Sequence, residues 1–256
     1  MPGPGGLVSS STMGSTSSST WVPSCYGSLE GDEVSEGTHG AAQTELYEYV
    51  RTHDFDGKGV VASIRAERLF DPAVVPILVT RSSVYSAAQQ PGEQTGGSSS
   101  ESSVEDARFL VDDAPPTVNE RAAMRSICAT SPFDAALGWF AFDLGARRKL
   151  CVHEFSIMHG APGGMMRARN FVLEGSSSAP VVADAAGSWI ELSVKANCDD
   201  LPDERYATAS WTVTGGEASK TWVRSLRVRL TEPHATGSRS LYVGGIEFYG
   251  LLRTQL

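Results

Sequence analysis

The sequence lacks the features that mark several large classes of protein. It has no apolar run of 18 residues, which excludes a membrane-spanning helix. It contains neither the Gly-rich Lys-Ser/Thr loop that holds phosphates, nor the Gly-x-Ser-x-Gly turn of hydrolases, nor a His-Glu-x-x-His zinc motif. Basic residues are few, because 21 Lys and Arg stand against 30 Asp and Glu, for a net charge of −9. Nucleic acid and anionic membranes are therefore not expected as partners, since both need a basic face.

Cysteine is also scarce, and none of it forms a Cys-x-x-Cys pair. The four cysteines are widely spaced: Cys25, Cys128, Cys151 and Cys198. Two disulfides are arithmetically possible, but the N-terminus has neither the basic start nor the apolar stretch of a secretory signal. We expect buried thiols in a reducing compartment, hence an intracellular protein. No ligands stand at metal-binding spacing, so we expect no zinc and no cofactor.

Three segments are too poor in large apolar residues to contribute to a core. The first 44 residues contain 10 Ser and 8 Gly and no Lys or Arg, which predicts a disordered tail. Residues 86–104 and 176–188 have a similar composition of small and polar residues and are predicted to be surface insertions. These insertions are either spacers without a role or docking loops. One domain is thus expected over residues 45–254.

Between these segments the pattern is mostly that of β-strands with turn residues between them. Predicted strands are Val60–Ile64, Ile77–Thr80, Trp139–Leu144, His153–His159, Asn170–Glu174, Trp189–Leu192, Ala209–Val213, Val223–Leu230 and Leu241–Tyr249. Gly244 and Gly245 suggest a β-bulge or close packing in the last of them. One helix is predicted over residues 117–127, where Thr117 and Glu120 have the spacing of a capping box. Many short strands without βαβ alternation predict an all-β sandwich or jelly roll with one or two short helices.

A few polar residues near one predicted loop are candidates for binding. His159 ends a strand and begins the Gly-rich loop 160–169, so it is either a ligand contact or a half-buried residue that fixes the turn. Arg167 and Arg169 supply rigid forks of donors, suited either to ligand contact or to a structural role. In the structural role they would tie one loop to another or pair with Asp143 or Glu174. Asn170 could bind the ligand or satisfy the loop backbone.

Arginines and tryptophans on the strands have a structural and a functional interpretation. Arg227 and Arg229 alternate with apolar residues, so both are predicted to point to solvent, as a plain outer face or as a patch for an acidic peptide. Trp139, Trp189, Trp211 and Trp222 lie in or beside apolar strands. We expect them to pack in the core and at its rim rather than to form a platform for sugars.

Seven segments in this order resemble a known family: Phe55–Val60, Trp139–Gly145, Phe155–Gly160, Arg169–Ser176, Ala209–Val213, Val223–Thr231 and Gly245–Gly250. The resemblance is to the discoidin-like domain (factor 5/8 C-type-like, galactose-binding-like) of some BTB/POZ proteins and a large HECT-type ubiquitin ligase. It covers residues 55–252. Met158 and Phe171 depart from the arginine and tryptophan usual in that family.

The resemblance implies a discoidin-like jelly-roll β-sandwich whose loops at one end recognise a ligand. We expect a non-enzymatic module that binds a protein partner, as a subunit or adaptor of a large intracellular assembly. The segments expected to make the contact are loop 160–169 and turn 197–205, with Asp199, Asp200 and Arg205 in the turn. Two alternatives are a carbohydrate-binding module and a structural subunit of a ciliary or ubiquitin-ligase-associated complex. Fold alone does not decide between them.

Overall fold

The computed structural model of the protein describes residues 43–82, 110, 128–129, 137–160, 167–180, 189–202, 204, 206–214, 216–234 and 236–255. The described strands are β1 (Thr44–Tyr49), β2 (Leu78–Arg81), β3 (Cys128–Ala129), β4 (Trp139–Asp143), β5 (Arg148–His159), β6 (Phe171–Ser176), β7 (Ile190–Lys195), β8 (Thr208–Thr212), β9 (Trp222–Val223), β10 (Ser225–Leu230) and β11 (Tyr242–Gln255). Among the described residues, helix α1 spans Val60–Phe70 and a 3₁₀ turn spans Ala218–Lys220. None of the described helices is long and apolar enough to cross a membrane.

The strands form two antiparallel sheets. The first sheet has the order β1-β11-β5-β8, with β3 added beside β11 and β9 beside β5. The second sheet has the order β2-β4-β10-β6-β7. Most neighbouring strands are not consecutive in the chain, since β10 lies between β4 and β6, and β11 lies between β1 and β5; β6 and β7 are the exception among the described pairs. The expected all-β sandwich of two antiparallel sheets is confirmed, and the discoidin-like jelly roll stays an expectation from the sequence.

Aromatic side chains from both sheets meet in the core. Phe142 of the second sheet meets Phe248 of the first, with 5.6 Å between ring centroids in an edge-to-face arrangement. Phe171 of the second sheet contacts both Phe155 and Trp211 of the first, at 6.4 and 5.2 Å. All five side chains are buried, so the inner faces of the two sheets form one apolar layer.

The first predicted strand is wrong, because Val60–Ile64 is the first half of helix α1. The run of β-branched residues resembles a strand, but the helix continues through Phe70. Gly59 at the N-cap offers no side-chain acceptor. The carboxylate of Glu247 in β11 takes that place and accepts the backbone N–H groups of Val61 and Ala62 at 2.7 and 3.0 Å. Tertiary contact thus provides the cap that the local sequence lacks.

The predicted solvent exposure of Arg227 and Arg229 is also wrong. Arg227 is only 8% exposed; it donates to Glu174 at 2.7 Å and stacks on the ring of Trp189 at 4.5 Å. Arg229, which is half-buried, donates to the other carboxylate oxygen of Glu174 at 2.8 Å. Burial alone would raise the pKa of Glu174, but the hydrogen bonds from the two arginines outweigh it and lower the pKa below its ordinary value. The outer face of β10 is therefore an internally paired layer, which does not offer these charges to an acidic peptide.

The other strands predicted in the described residues are present, with shifts of a few residues at their ends. The register of β11 against β5 slips between Val243 and Gly245, so the predicted bulge at Gly244 is confirmed. The predicted helix at 117–127, the insertion 86–104, residues 181–188 of the other insertion and residues 1–42 of the predicted tail 1–44 lie outside the described residues. Strand β1 begins at Thr44, the last residue of that predicted tail. Cys151 is a buried free thiol and Cys198 a half-buried one.

Candidate functional site

Most of the predicted site residues lie at one end of the sandwich, opposite the end where β1 begins and β11 ends. There β5 ends at His159, β6 begins at Phe171, and Lys195 at the end of β7 pairs with Phe171. The backbone N–H of Thr231, after β10, donates to Asn170 at 3.0 Å. The loops that leave these strands together form a rim. We define the rim cluster as six residues: Arg167, Arg169, Asn170, Asn197, Asp199 and Asp200.

Asp199 is the centre of this cluster. Its carboxylate accepts a hydrogen bond from Arg167 at 2.6 Å and contacts Arg169 at 3.1 Å, while its side chain stays 64% exposed. Arg167 also donates to the backbone oxygen of Leu201 at 3.0 Å. The arginines therefore pair with Asp199 and not with Asp143, which binds Arg224. The interpretation that these arginines tie one loop to another is confirmed.

Asn170 fixes the position of the second loop. Its side-chain oxygen accepts the backbone N–H of Asn197 at 2.6 Å. Asn197 has a φ of +51°, a left-handed conformation that asparagine tolerates better than most residues. The next amide, of Cys198, donates to the backbone oxygen of Arg169 at 2.9 Å. The segment 197–199 is thus held in one conformation by its partner loop.

The side chain of Asp200 is held in place by a tryptophan of the core. Its carboxylate accepts the indole N–H of Trp211 at 2.8 Å and the thiol of Cys198 at 3.3 Å. The hydrogen bond from Trp211, followed by that from Cys198, lowers the pKa of Asp200 below its ordinary value. Asp200 itself is exposed, so an ionised carboxylate is presented to solvent at a fixed place.

His159 does not belong to this surface, because its side chain is completely buried. Its backbone pairs on both sides, donating to Ala207 at 2.8 Å and accepting from Tyr206 at 2.9 Å. The sequence left His159 as either a ligand contact or a half-buried residue that fixes the turn; its complete burial and its backbone pairing with the Tyr206 turn favour the second interpretation. Loop residues 161–166 and Arg205 lie outside the described residues.

His234 is a rim residue that the sequence did not single out. It is 7% exposed, and its Nδ1 lies 2.8 Å from the backbone oxygen of Arg167. Its Nε2 contacts the backbone oxygen of Ser240. A third loop, after β10, thereby supports the loop that carries the arginines. No local motif marks this histidine, since both partners are backbone oxygens and one of them, that of Arg167, is 67 positions away.

No family model matches the chain, and no curated protein matches it in sequence. Solved structures with a similar arrangement of strands include chitosan-binding module 1 of a chitosanase/glucanase from Paenibacillus sp. IK-5, with 14% identity, a TM-score of 0.40, and coverage of 68% of this chain and 95% of that one. A fucose-binding module from Streptococcus pneumoniae is 14% identical, with a TM-score of 0.42 and coverage of 68% and 93%. The lectin domain of lectinolysin, complexed with Lewis B antigen, is 16% identical, with a TM-score of 0.43 and coverage of 68% and 92%. At these identities and TM-scores we draw no conclusion from them about a ligand or a family.

The described rim presents acceptors rather than apolar surface. Asp199, Asp200 and Asn197 are exposed, and two of the three carry carboxylates. The large apolar side chains that are exposed among the described residues lie elsewhere: Leu46, Tyr47, Val50, Leu69, Phe70, Val75, Leu78, Ile190 and Val194. No group of three or more His, Cys, Asp or Glu that could hold a metal ion occurs in the part of the chain that the structure describes. The arrangement is suited to hydrogen bonding with a ligand rich in donors.

Proposed function

We propose that the chain is a non-catalytic module that binds a neutral glycan through its rim cluster. The observation that carries this proposal is the state of Asp199, which is both exposed and charge-compensated. Its negative charge is balanced by Arg167 and Arg169, yet a carboxylate has about four acceptor positions and the two arginines do not use them all. Such a group attracts a cation weakly but accepts hydrogen bonds from hydroxyl groups.

Rigid placement of the acceptors supports a polyhydroxyl ligand. Asn170 holds Asn197, and Trp211 holds Asp200, so the acceptors do not have to be ordered when a ligand binds. Preorganised groups lose less conformational entropy on binding. About four net hydrogen bonds of about 1 kcal/mol each correspond to a dissociation constant near 1 mM, so display of several copies is needed to detect binding.

A protein partner at the same loops is the competing hypothesis from the sequence. Stable protein interfaces have an apolar central patch rich in aromatic residues. The described rim loops expose no large apolar side chain. A glycan is therefore the better match to this end of the molecule. The intracellular location, the BTB/POZ or HECT setting and the role as an assembly subunit stay predictions.

The test is a glycan array probed with the full chain displayed on multivalent beads, followed by NMR titration with the best-binding glycan. We expect Asp199→Ala to abolish binding, while Asp199→Asn, which keeps one acceptor oxygen, weakens it. Glu191→Ala, which removes an exposed acid on β7, is the matched control and should bind like the wild type. If the Asp199→Ala variant binds the glycan as well as the wild type does, the proposed binding site is refuted. A full array without any binding glycan, together with capture of a protein through the rim, would support the competing hypothesis.

A further inference from the structure

His234 lies beside the rim cluster in surroundings that limit its protonation state. Its ring is 7% exposed, with Nδ1 2.8 Å from the backbone oxygen of Arg167 and Nε2 in contact with the backbone oxygen of Ser240. Carbonyl oxygens accept hydrogen bonds and cannot donate them. A neutral imidazole has one N–H and one lone pair, so it satisfies only one of these two oxygens. The imidazolium ion has two N–H groups and donates to both.

Of the two contacts, the one to Arg167 depends on the second proton. The turn that contains His234 is closed by its own backbone hydrogen bonds, from His234 to Ser238 at 2.8 Å and from Gly237 to His234 at 2.8 Å. The Ser240 oxygen of this turn therefore stays near Nε2, whereas the Arg167 oxygen belongs to a separate loop. When the ring loses a proton, the lone pair of Nδ1 faces the Arg167 oxygen. Two acceptors in a buried contact repel each other, so the tie between the loops is lost.

Backbone carbonyls, and not an ion pair, stabilise the positive charge of the ring. The charged and titratable groups on the segments that contact it are Arg167, Arg169, Glu232, Arg239 and Tyr242. The ring of Tyr242 has its centroid 6.3 Å from that of His234. Among the described residues, no carboxylate comes within 4 Å of the imidazole of His234. Histidine is the side chain that ordinarily changes its charge between about pH 5 and pH 8, so the tie to Arg167 can respond to pH in that range.

We infer that His234 is a positioning residue of the rim cluster, and that its second proton makes ligand binding at the rim stronger in mildly acidic solution. This inference rests on the proposed function, because it concerns the regulation of the same site. With two protons, the ring holds the backbone of Arg167, whose guanidinium binds Asp199 at 2.6 Å. With one proton, the ring releases that backbone, and Asp199 is no longer held in one place. The rim then has to be ordered again when a ligand binds, which lowers the affinity.

NMR titration of the full ¹⁵N-labelled chain from pH 5 to pH 9 tests the link between the ring and the rim without any ligand. We expect both ring nitrogens of His234 to carry protons at pH 5.5 and one of them at pH 8.5. The backbone amide signals of Arg169, Asn170 and Cys198 should move with the same midpoint as the ring. In His234→Gln, whose side chain does not titrate, they should not move. His53→Gln removes an exposed histidine whose ring contacts Thr52; as the matched control it should leave the movement unchanged.

The glycan array described above, probed at pH 5.5 and pH 8.5, tests the effect on binding. We expect the wild-type affinity to be about three- to tenfold weaker at pH 8.5, because one hydrogen bond from a charged donor is lost. His234→Gln should bind weakly at both pH values, and His53→Gln should follow the wild type. A purely structural role for His234 predicts a lower melting temperature in His234→Gln and a wild-type affinity that does not change with pH.

Three results would overturn the inference: a ring of His234 that keeps one protonation state from pH 5 to pH 9, rim amides that move equally in His234→Gln, or equal glycan binding at the two pH values. An array without any binding glycan at either pH contradicts the proposed function instead, and the amide titration then decides the inference alone. If His234→Gln does not fold, the wild-type titration still decides it, because unequal midpoints of the ring and the rim amides would refute the link.

Discussion

Replacement of Glu247 is the sharpest test of how this chain folds. Its carboxylate is 3% exposed and accepts three backbone N–H groups, from Val61 at 2.7 Å, Ala62 at 3.0 Å and Phe248 at 3.0 Å. Two of these donors are at the N-terminus of α1 and one is in β11. The same side chain therefore caps the helix and fixes it to the sheet.

The expected loss of stability follows from these contacts. Glu247→Ala leaves three buried donors without their acceptor, at about 1–3 kcal/mol for each group that remains unsatisfied. Because partial rearrangement reduces the sum, we expect a loss of about 3–5 kcal/mol in the free energy of unfolding. Glu247→Gln retains one acceptor oxygen but turns an amide N–H₂ toward the helix amides, so a smaller loss of about 1–3 kcal/mol is expected.

The pH dependence provides a second readout. Burial raises the pKa of Glu247 from 4.5 to about 7, although the backbone hydrogen bonds oppose the shift. A carboxyl group whose pKa is higher in the folded state stabilises fully below its unfolded pKa, and this stabilisation is lost as the pH rises through the folded pKa. At 1.36 kcal/mol for each pH unit, the shift corresponds to about 3 kcal/mol between about pH 4 and pH 8.

Urea unfolding at pH 5 and pH 8 measures both effects. The wild type should lose stability relative to Glu247→Gln as the pH rises, because glutamine does not titrate. Glu191→Gln, at an exposed position on β7, should change neither the stability nor its pH dependence. If the difference between the wild type and Glu247→Gln is the same at both pH values, or if Glu247→Ala costs less than about 1 kcal/mol, the reasoning is refuted.

Three further predictions concern the sheets, and urea unfolding measures each of them. Gly250→Ala should cost at least about 3 kcal/mol, because φ is +142° and a Cβ would collide with the backbone oxygen of Cys151; a neutral result would contradict the register of β11 on β5. Phe171→Ala should cost about 3–5 kcal/mol through the cavity left between the sheets, and a loss below about 1 kcal/mol would show that the two sheets do not pack there. Arg227→Ala should cost about 2–4 kcal/mol, more than an exposed ion pair, because Glu174 stays buried with Arg229 alone; a cost below about 1 kcal/mol would mean that the pair behaves as if it were exposed.

The segment Val60–Ile64 shows why one element could not be predicted. Its β-branched residues fit a strand as well as a helix, and Gly59 offers no capping side chain. What selects the helix is a carboxylate 186 positions away in the sequence, and no local window contains it. The predicted strand Val223–Leu230 shows which property of a correctly predicted strand the sequence does not contain. The alternation of apolar and polar residues correctly separates the inner face of this strand from its outer face. It does not show that Trp189 and Glu174 cover the outer face.

The candidate site was predictable in its location and not in its internal pairing. A loop of Gly and Pro followed by Arg167 and Arg169 is visible in the sequence, and so is the polar turn at Asp199. Their contact is not, since two loops that are 32 positions apart meet only when β6 and β7 pair. The sequence left His159 as a ligand contact or a half-buried residue, and its complete burial depends on the turn before β8 that pairs with its backbone.

The sequence by itself determined the class of this fold and the period of its strands. Alternating apolar residues lie on one face of a sheet, and that face is buried when two sheets pack against each other. It also placed the loops that gather at one end. Tertiary structure decided which charges neutralise each other, how helix α1 is capped, and which apolar residues stay exposed at its end. These depend on distances between residues that are remote in the chain, and the local pattern of side chains does not contain such distances.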